Sequence, residues 1–328
     1  MLQDQCQQYF DEYNYYSSLN SLGNNYLKLA QIVTKTPYYQ ILSYKSLKNN
    51  NNKTFLVIPS IFNSPEILFL SHSISFIDNL RQYGNVFLVD WFELNKANYL
   101  LEDYAKWVVE VVIALRKKNN QIIDLIGHCI GGNLAIAAAI IFPDSIRTLT
   151  LLSTPWDFSH FALSRNIHQY FGLGSDVQNL SMIPKLYIQI LFFLMFSGQF
   201  SGKLNKFFVI KSLKEKDLTF RIENWLLSGA ALPKGTYMQI MDEIIGNNMF
   251  MKLQWQVDNV IMNPSLITKP VYQIVADNDK IAPGSSILPL HKLFKKSTLI
   301  KVKGGHISYL INNKLSALLR EYNNSSED

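Results

Sequence analysis

Between residues 54 and 155, short continuous apolar runs alternate with longer stretches in which apolar residues recur three and four positions apart. The first pattern is typical of strands buried on both faces, and the second predicts amphipathic helices. Because parallel strands need crossover connections, this alternation predicts an α/β fold with a mostly parallel sheet and helices on both faces. The predicted strands are 54–58, 85–91, 121–126 and 147–153, and the predicted helices are 64–83, 104–117 and 133–141.

The parts of the chain outside this stretch have other patterns. Residues 1–53 are predicted to form an N-terminal helical segment that ends in a turn-rich asparagine run. From 156 to 264 the alternation stops, and large apolar side chains predict an inserted helical lid, or cap. The α/β pattern resumes over 265–322. The sequence therefore predicts one α/β core, formed by 54–155 and 265–322, that carries a helical insertion.

Composition and charge narrow the function classes. Hydrophobic residues make up 48% of the chain and charged residues 17%, which suits a globular protein. The net charge of +6 comes from scattered lysines without a basic stripe, so we expect no nucleic-acid partner. The most apolar run, 188–196, is far shorter than the roughly 20 residues of a spanning helix, so no transmembrane segment is expected. The N-terminus resembles no secretory signal, and the cytoplasm is the expected compartment.

One of the two cysteines lies in a motif that is typical of a catalytic nucleophile. Cys6 and Cys129 are far apart and have no metal-type spacing, so neither a disulfide framework nor a bound metal is expected. Cys129 lies in Gly127-His128-Cys129-Ile130-Gly131, between a predicted strand and a small-residue helix. This arrangement matches the nucleophile elbow of α/β hydrolases, and the helix N-terminus favours a thiolate. The alternative interpretation is an inert, buried structural thiol.

A nucleophile in this fold is followed along the chain by an acid and then by a histidine. Asp279 follows the predicted strand 271–275, and His306 follows the predicted strand 297–302. Both are therefore expected at the carboxyl ends of strands, where open α/β sheets bind their ligands. Asp277 is the alternative acid, since Asp-Asn-Asp is also ordinary turn chemistry, and a surface loop is the alternative role for His306.

The remaining site residues are predicted from position. The backbone N–H of Ile130, directly after the nucleophile, and that of Ile61, in the turn after the first core strand, are the expected oxyanion donors. His128 either helps binding or fills the variable position of the elbow, and the second role is favoured. The sequence singles out no substrate-binding residue.

Four segments together resemble the polyhydroxyalkanoate synthase family, the cysteine-dependent branch of the α/β-hydrolase superfamily. They correspond to its G-x-C-x-G-G box, its V-P-x-x-I-N turn with the following D/S-W strand, its D-x-I-x-P acid loop and its G-H-I histidine loop. In this chain they are Gly127–Gly132, Ile58–Asn63 with 86–91, Asp279–Pro283 and Gly305–Ile307. The resemblance covers the core and implies that Cys129, Asp279 and His306 form the catalytic triad.

The chain also departs from the family's pattern. Phe69 stands where the family has the aspartate of I-L-D-L, and the lid matches only loosely, through Glu223-Asn224-Trp225-Leu226. In length the chain is nearer to the short, class III-like catalytic subunits of the poly-3-hydroxybutyrate synthases. That resemblance implies a homodimer or a second synthase subunit as protein partner, and the polymer granule surface as a location within the cytoplasm.

The resemblance implies an acyltransferase that polymerises (R)-3-hydroxyacyl-CoA into polyhydroxyalkanoate through a cysteine thioester. Its partners would be the 3-hydroxyacyl-CoA and the growing polyester chain, and coenzyme A would enter as part of the substrate, with no separate cofactor. One alternative is a cysteine-dependent hydrolase, either a polyester depolymerase or an enzyme like dienelactone hydrolase. Another is a non-catalytic granule- or lipid-binding protein on the same fold.

Overall fold

The computed structural model describes residue 11 and residues 25–48, 53–70, 74–119, 121–159, 179–196 and 212–311. Eight strands form one sheet in the order β1-β2-β4-β3-β5-β6-β7-β8, in which β2 runs antiparallel to both neighbours and the other pairs are parallel. The predicted fold class is thereby confirmed. The strands are β1 Gln31–Lys35, β2 Tyr39–Tyr44, β3 Lys53–Ile58, β4 Gly84–Trp91, β5 Ile123–His128, β6 Ile146–Leu152, β7 Val271–Ala276 and β8 Ser297–Val302.

Helices cover both faces of this sheet. All six residues of β5 are buried, as expected for a central parallel strand with helices on either side. One apolar core contains Val108 and Leu134 of the helices on one face, and the other contains Leu80 and Tyr309 of those on the opposite face. The helices are α1 Asn25–Lys28, α2 Phe76–Arg81, α3 Leu101–Asn119, α4 Ile130–Ile141, α5 Lys185–Phe196, α6 Leu213–Leu227, α7 Lys234–Met238, α8 Gly284–Leu293 and α9 Ser308–Ile311.

The predicted helical character of residues 1–53 is wrong for 31–44. These residues form β1 and β2, and the sheet therefore begins before the predicted core boundary at residue 54. The strand β2 pairs with β4 along its whole length, from Tyr39 opposite Trp91 to Tyr44 opposite Val86. Because a strand gains its hydrogen bonds from a partner distant in sequence, local spacing alone does not reveal this pairing. Of residues 1–24, only Asp11 lies within the described ranges.

The insertion between β6 and β7 contains α5, α6, α7 and a π-helical turn, Gln239–Gly246, that continues α7. It also holds two short strand ladders, Met182–Ile183 with Leu232–Pro233 and Gln256–Val257 with Val260–Ile261. Residues 160–178 and 197–211 of the predicted lid, and most of the predicted last helix at 309–322, lie outside the described ranges. Within those ranges, no helix combines the length and the apolar character needed to cross a membrane.

A half-buried carboxylate joins this cap to the core. Glu102, at the start of α3, accepts hydrogen bonds from the side-chain amide of Gln239 and, at 2.9 Å, from the indole N–H of Trp255. The Gln239 side chain in turn accepts a 2.8 Å bond from the Leu101 backbone N–H. Burial raises the pKa of Glu102, since desolvation disfavours its charged form. The partners from the cap therefore satisfy a group that burial alone would destabilise.

Candidate active site

Cys129 occupies a strained turn between β5 and α4. Its φ of 54° lies in the left-handed region that non-glycine residues rarely adopt, with ψ at −127°. Its backbone N–H donates a 2.9 Å hydrogen bond to the carbonyl of Leu152, at the end of β6. Such strain persists only where the surrounding structure enforces it, and it occurs preferentially at functional sites. The geometry is that of a nucleophile elbow.

The glycines around Cys129 are required by close backbone contacts. A Cβ atom at Gly127 would lie 2.4 Å from the Cα of Gly132, so elbow and helix leave no room for a side chain. A Cβ atom at Gly131 would lie 2.4 Å from the carbonyl oxygens of both Ile58 and Pro59. The same contact brings the turn after β3 against the first turn of α4.

The structure brings the predicted acid and base together. The Nδ1 atom of His306 lies 2.8 Å from a carboxylate oxygen of Asp279, and both side chains are buried. The other oxygen of Asp279 accepts 2.9 Å hydrogen bonds from the backbone N–H groups of Ile281 and Ala282. The Asp279 carboxylate is therefore held on one side by its own loop and orients the imidazole on the other.

Asp277, the alternative acid, has a different position. Its carboxylate accepts a 2.7 Å hydrogen bond from the backbone N–H of Gly304, and its side chain is exposed. This contact links the loop after β7 to the loop after β8. The geometry therefore gives Asp277 the role of a turn residue and leaves Asp279 as the partner of His306.

The surroundings of His306 raise the pKa of its imidazole. Burial lowers the pKa of His306, but the negative charge and hydrogen bond of Asp279, together with the hydrogen bond and charge of Cys129, outweigh it and raise the pKa to about 10. At neutral pH the imidazole is accordingly protonated. Since Nδ1 faces Asp279, Nε2 is the nitrogen left to face the Cys129 sulfur.

The two predicted oxyanion donors lie beside the elbow. Ile130 is the first residue of α4, and Ile61 lies in the turn after β3 that contacts Gly131. Within the described ranges, neither backbone N–H donates a hydrogen bond to another group of the protein. Both amides are therefore free to receive negative charge that develops next to Cys129, as an oxyanion hole requires. Their catalytic role stays a prediction.

His128 lies against the His306 imidazole. Its side chain is buried, and its ring centroid lies 5.6 Å from that of His306 and 6.2 Å from that of Tyr309. Burial, together with the charge of His306, lowers the pKa of His128 to about 3. Of the two sequence interpretations, filling the elbow position is the one that fits this burial.

Sequence reasoning missed Tyr309 as a neighbour of the site. It follows His306 by three residues, which places it at the start of the short helix α9. Burial and the negative charges of Cys129 and Asp279 raise its pKa well above the ordinary value of a tyrosine. The spacing His-x-x-Tyr is compatible with a shared helical face, but the sequence holds no signal that distinguishes this from ordinary core packing.

We expect His128 to make the fold sensitive to acid. Because its pKa is lowered in the folded state, its contribution to stability is complete above about pH 6.5 and is lost as the pH falls towards 3. From pH 6.5 to pH 5 the loss from this residue is about 2 kcal/mol of unfolding free energy. Phenylalanine does not titrate, so in the variant His128→Phe the unfolding free energy should fall less between pH 6.5 and pH 5 than it does in the unchanged protein. Urea denaturation at the two pH values measures this difference. An unchanged difference would contradict a neutral, buried His128.

Comparison with known proteins agrees with this fold. The family model described as "alpha/beta hydrolase fold" matches residues 90–312, so the chain belongs to the α/β-hydrolase fold family. Among solved structures, one described as Est816, an N-acyl homoserine lactone degrading enzyme, superposes with a TM-score of 0.58 at 15% identity, over 89% of this chain and 100% of that one. At that identity, the likeness concerns the fold alone.

The curated proteins similar in sequence to this chain share one name. The poly(3-hydroxyalkanoate) polymerase subunit PhaC of Haloferax mediterranei is 24% identical over 297 residues, which are 87% of this chain and 60% of that protein. The subunit of the same name from Synechocystis is 23% identical over 279 residues, 79% of this chain and 73% of that protein. This chain thus spans about 60% of the length of the first relative. The resemblance predicted from four motifs is confirmed.

Proposed function

We propose that this protein is an acyltransferase that polymerises (R)-3-hydroxyacyl-CoA into polyhydroxyalkanoate, with release of CoA. The observation that carries the proposal is a thiol, rather than a hydroxyl, at the strained elbow position, next to the His306–Asp279 pair. The similarity to polymerase subunits supports the substrate class.

A thiol nucleophile suits an acyl-CoA donor. Exchange between two thioesters is close to isoenergetic, so an acyl group on Cys129 stays activated for the next transfer, whereas a serine ester would lose that activation. In the first step the Cys129 thiolate attacks the acyl-CoA carbonyl, and the N–H groups of Ile61 and Ile130 stabilise the oxyanion. The intermediate then breaks its bond to CoA, and the His306 imidazolium gives its proton to the departing CoA thiolate.

The second step needs His306 as a base. Formation of the thioester removes the negative charge from the Cys129 sulfur, and with it one of the interactions that raise the pKa of His306. The pKa of the imidazole therefore falls in the acyl-enzyme, and His306 becomes able to take the proton of an incoming 3-hydroxyl group. That oxygen attacks the thioester carbonyl and forms the new ester bond, and Cys129 leaves as a thiolate. Asp279 keeps the imidazole in the required tautomer throughout.

Water is the competing acceptor in the second step. A transferase and a hydrolase on the same triad differ in whether the site excludes water from the acyl-enzyme. The apolar cap, which includes α5 and the predicted run 188–196, is the part of this chain suited to that exclusion. The proposed reaction takes place in the cytoplasm, at the surface of the polymer that it forms. It requires no cofactor, and a second synthase subunit or a second copy of the chain is its proposed protein partner.

Purified protein incubated with (R)-3-hydroxybutyryl-CoA tests the proposal. CoA release is followed with a thiol reagent, insoluble polyester by turbidity, and the acyl-enzyme by intact mass. We expect a hydroxybutyryl adduct on Cys129, CoA release and insoluble product. CoA release with only the free acid would instead support a cysteine hydrolase, and the absence of both adduct and release would support a binding protein.

A further inference from the structure

The turn that carries Ile61 is attached to the cap by the side chain of Asn63. The Asn63 amide nitrogen donates hydrogen bonds to the backbone carbonyls of Trp225 at 3.1 Å, Leu226 at 3.4 Å and Ser228 at 2.9 Å. These carbonyls belong to the last turn of α6 and the residue that follows it. The last carbonyls of a helix have no partner within the helix, so an amide from a different segment satisfies them.

Two further contacts join the same segments. The indole N–H of Trp225, a buried residue of α6, donates a 2.8 Å hydrogen bond to the backbone carbonyl of Ser64. A Cβ atom at Gly229 would lie 2.4 Å from the carbonyl oxygen of Phe62, and the φ of this glycine is 137°. The end of α6 therefore contacts Phe62, Asn63 and Ser64 in succession.

The other end of the turn is attached to the core. The indole N–H of Trp91, at the end of β4, donates a 3.3 Å hydrogen bond to the carbonyl of Pro59. The Pro59 carbonyl also lies against Gly131 of the elbow helix. The Ile61 amide is thus located between a contact to the core at Pro59 and contacts to the cap from Phe62 onwards.

We propose that Asn63 and Trp225 are positioning residues, which fix the Ile61 N–H in the oxyanion hole by binding its turn to the end of helix α6. The inference rests on the oxyanion role of Ile61 in the proposed function. It adds that acylation of Cys129 depends on the position of the cap, because α6 holds one side of the turn. A cap that moves away from the core would take the oxyanion donor with it.

Two reactions of the same thiol separate positioning from general structural support. Acylation by an activated ester passes through a tetrahedral oxyanion and needs the Ile61 N–H. Alkylation by iodoacetamide is a direct displacement at carbon and forms no oxyanion, so it needs only the thiolate of Cys129. A disordered oxyanion hole therefore slows the first reaction and leaves the second intact.

The experiment compares Asn63→Ala and Trp225→Phe in a Cys6→Ser background, where Cys129 is the remaining thiol. The second variant keeps an aromatic ring and removes the N–H donor together with the five-membered ring of the indole. Thr236→Val is the matched control, since Thr236 donates a 2.7 Å hydrogen bond from the cap to the Tyr99 carbonyl, away from the oxyanion turn. The probes are p-nitrophenyl acetate, read as the burst of p-nitrophenolate, and iodoacetamide, read by mass.

We expect Asn63→Ala and Trp225→Phe each to lose about tenfold or more in the acylation rate constant, since misplacing one oxyanion donor weakens transition-state stabilisation. Their alkylation rates should not fall, and the control should keep both rates. Three results would overturn the inference: unchanged acylation, an equal fall in acylation and alkylation, or an equal acylation loss in Thr236→Val. Neither probe contains CoA or a hydroxyacyl group. A failure of the polymerase proposal with 3-hydroxybutyryl-CoA is therefore distinguishable from a failure of this inference.

Discussion

Replacing Cys129 with alanine is expected to abolish turnover of acyl-CoA and ester substrates, with a loss on the order of 10³-fold or more in kcat. The change removes the only atom that forms the covalent intermediate, while the elbow, the oxyanion amides and the His306–Asp279 pair stay in place. The measurement is CoA release from 3-hydroxybutyryl-CoA, together with intact mass for the acyl adduct. Retained turnover would show that the reaction does not pass through Cys129.

The variant Cys129→Ser provides a matched control, because it keeps a nucleophilic atom of similar size at the elbow. We expect it to lose most of its activity. A serine hydroxyl is not ionised by the neighbouring imidazolium, and the ester it forms is less activated than a thioester. Serine is also the ordinary nucleophile of this fold, so the comparison isolates the chemistry of sulfur. Full activity of Cys129→Ser would contradict the thioester argument.

Replacing Asp279 with asparagine is expected to lower kcat by roughly 10²- to 10⁴-fold. The carboxylate accepts the Nδ1 proton of His306, and an amide in its place favours the wrong tautomer or leaves that proton without its acceptor. The charge that raises the pKa of His306 to about 10 is also lost, so the imidazolium should lose its proton at a lower pH. The decisive measurement is the pH profile of Cys129 alkylation, in which the variant should reveal this shift.

Asp277→Asn is the control for this prediction. Asp277 accepts a bond from the Gly304 backbone and lies on the exposed side of the same loop, only two residues away. The change removes one negative charge close to the site without altering the partner of His306. We expect less than about threefold loss in kcat, as for an exposed turn residue. If Asp279→Asn and Asp277→Asn lost equal factors in kcat, the contact between Asp279 and His306 would not be what distinguishes the two carboxylates.

Local pattern identified the strands that form the centre of the sheet. The apolar runs that become β3, β4, β5 and β6 are buried on both faces, so each is continuous in sequence and hard to mistake for another element. The first two strands lack this signal. In β1 four of five residues are exposed, and β1 pairs only with its neighbour β2. The strand β2 joins the rest of the sheet through β4, whose paired residues lie more than 40 positions later in the chain. The place of both strands in the sheet therefore depends on a pairing that no local window contains.

The places of Cys129, Asp279 and His306 in the fold were predictable because each residue is tied to a short segment. The glycines around Cys129 mark a backbone constraint, and the acid and histidine each follow a strand directly. The choice between Asp277 and Asp279 was not predictable to the same degree, since both lie in one turn. It follows from which carboxylate points to His306 once β7 and β8 are paired. The burial of His128 against His306 and Tyr309 likewise depends on that pairing.

No pattern in the sequence predicts the contact between Asn63 and α6. The residues it joins are more than 160 positions apart, and the intervening chain includes β4, β5, β6 and more than half of the cap. The segment containing Trp225 matched the family pattern only loosely, and nothing in its composition indicates a hydrogen bond to the turn after β3. Side-chain bonds to distant helix ends depend on how the elements pack, which local preferences do not encode.

The sequence by itself determined the fold class and the positions of Cys129, Asp279 and His306 at the ends of strands, because apolar runs, glycine constraints and strand ends are local properties of the chain. The glycines around Cys129 alone predict a strained elbow at this residue. Only the tertiary structure decided that Asp279 rather than Asp277 faces His306, that residues 31–44 complete the sheet, and that the cap contacts the turn after β3. Each of these depends on groups that are far apart in sequence, and their distances are fixed only when the sheet and the cap have packed.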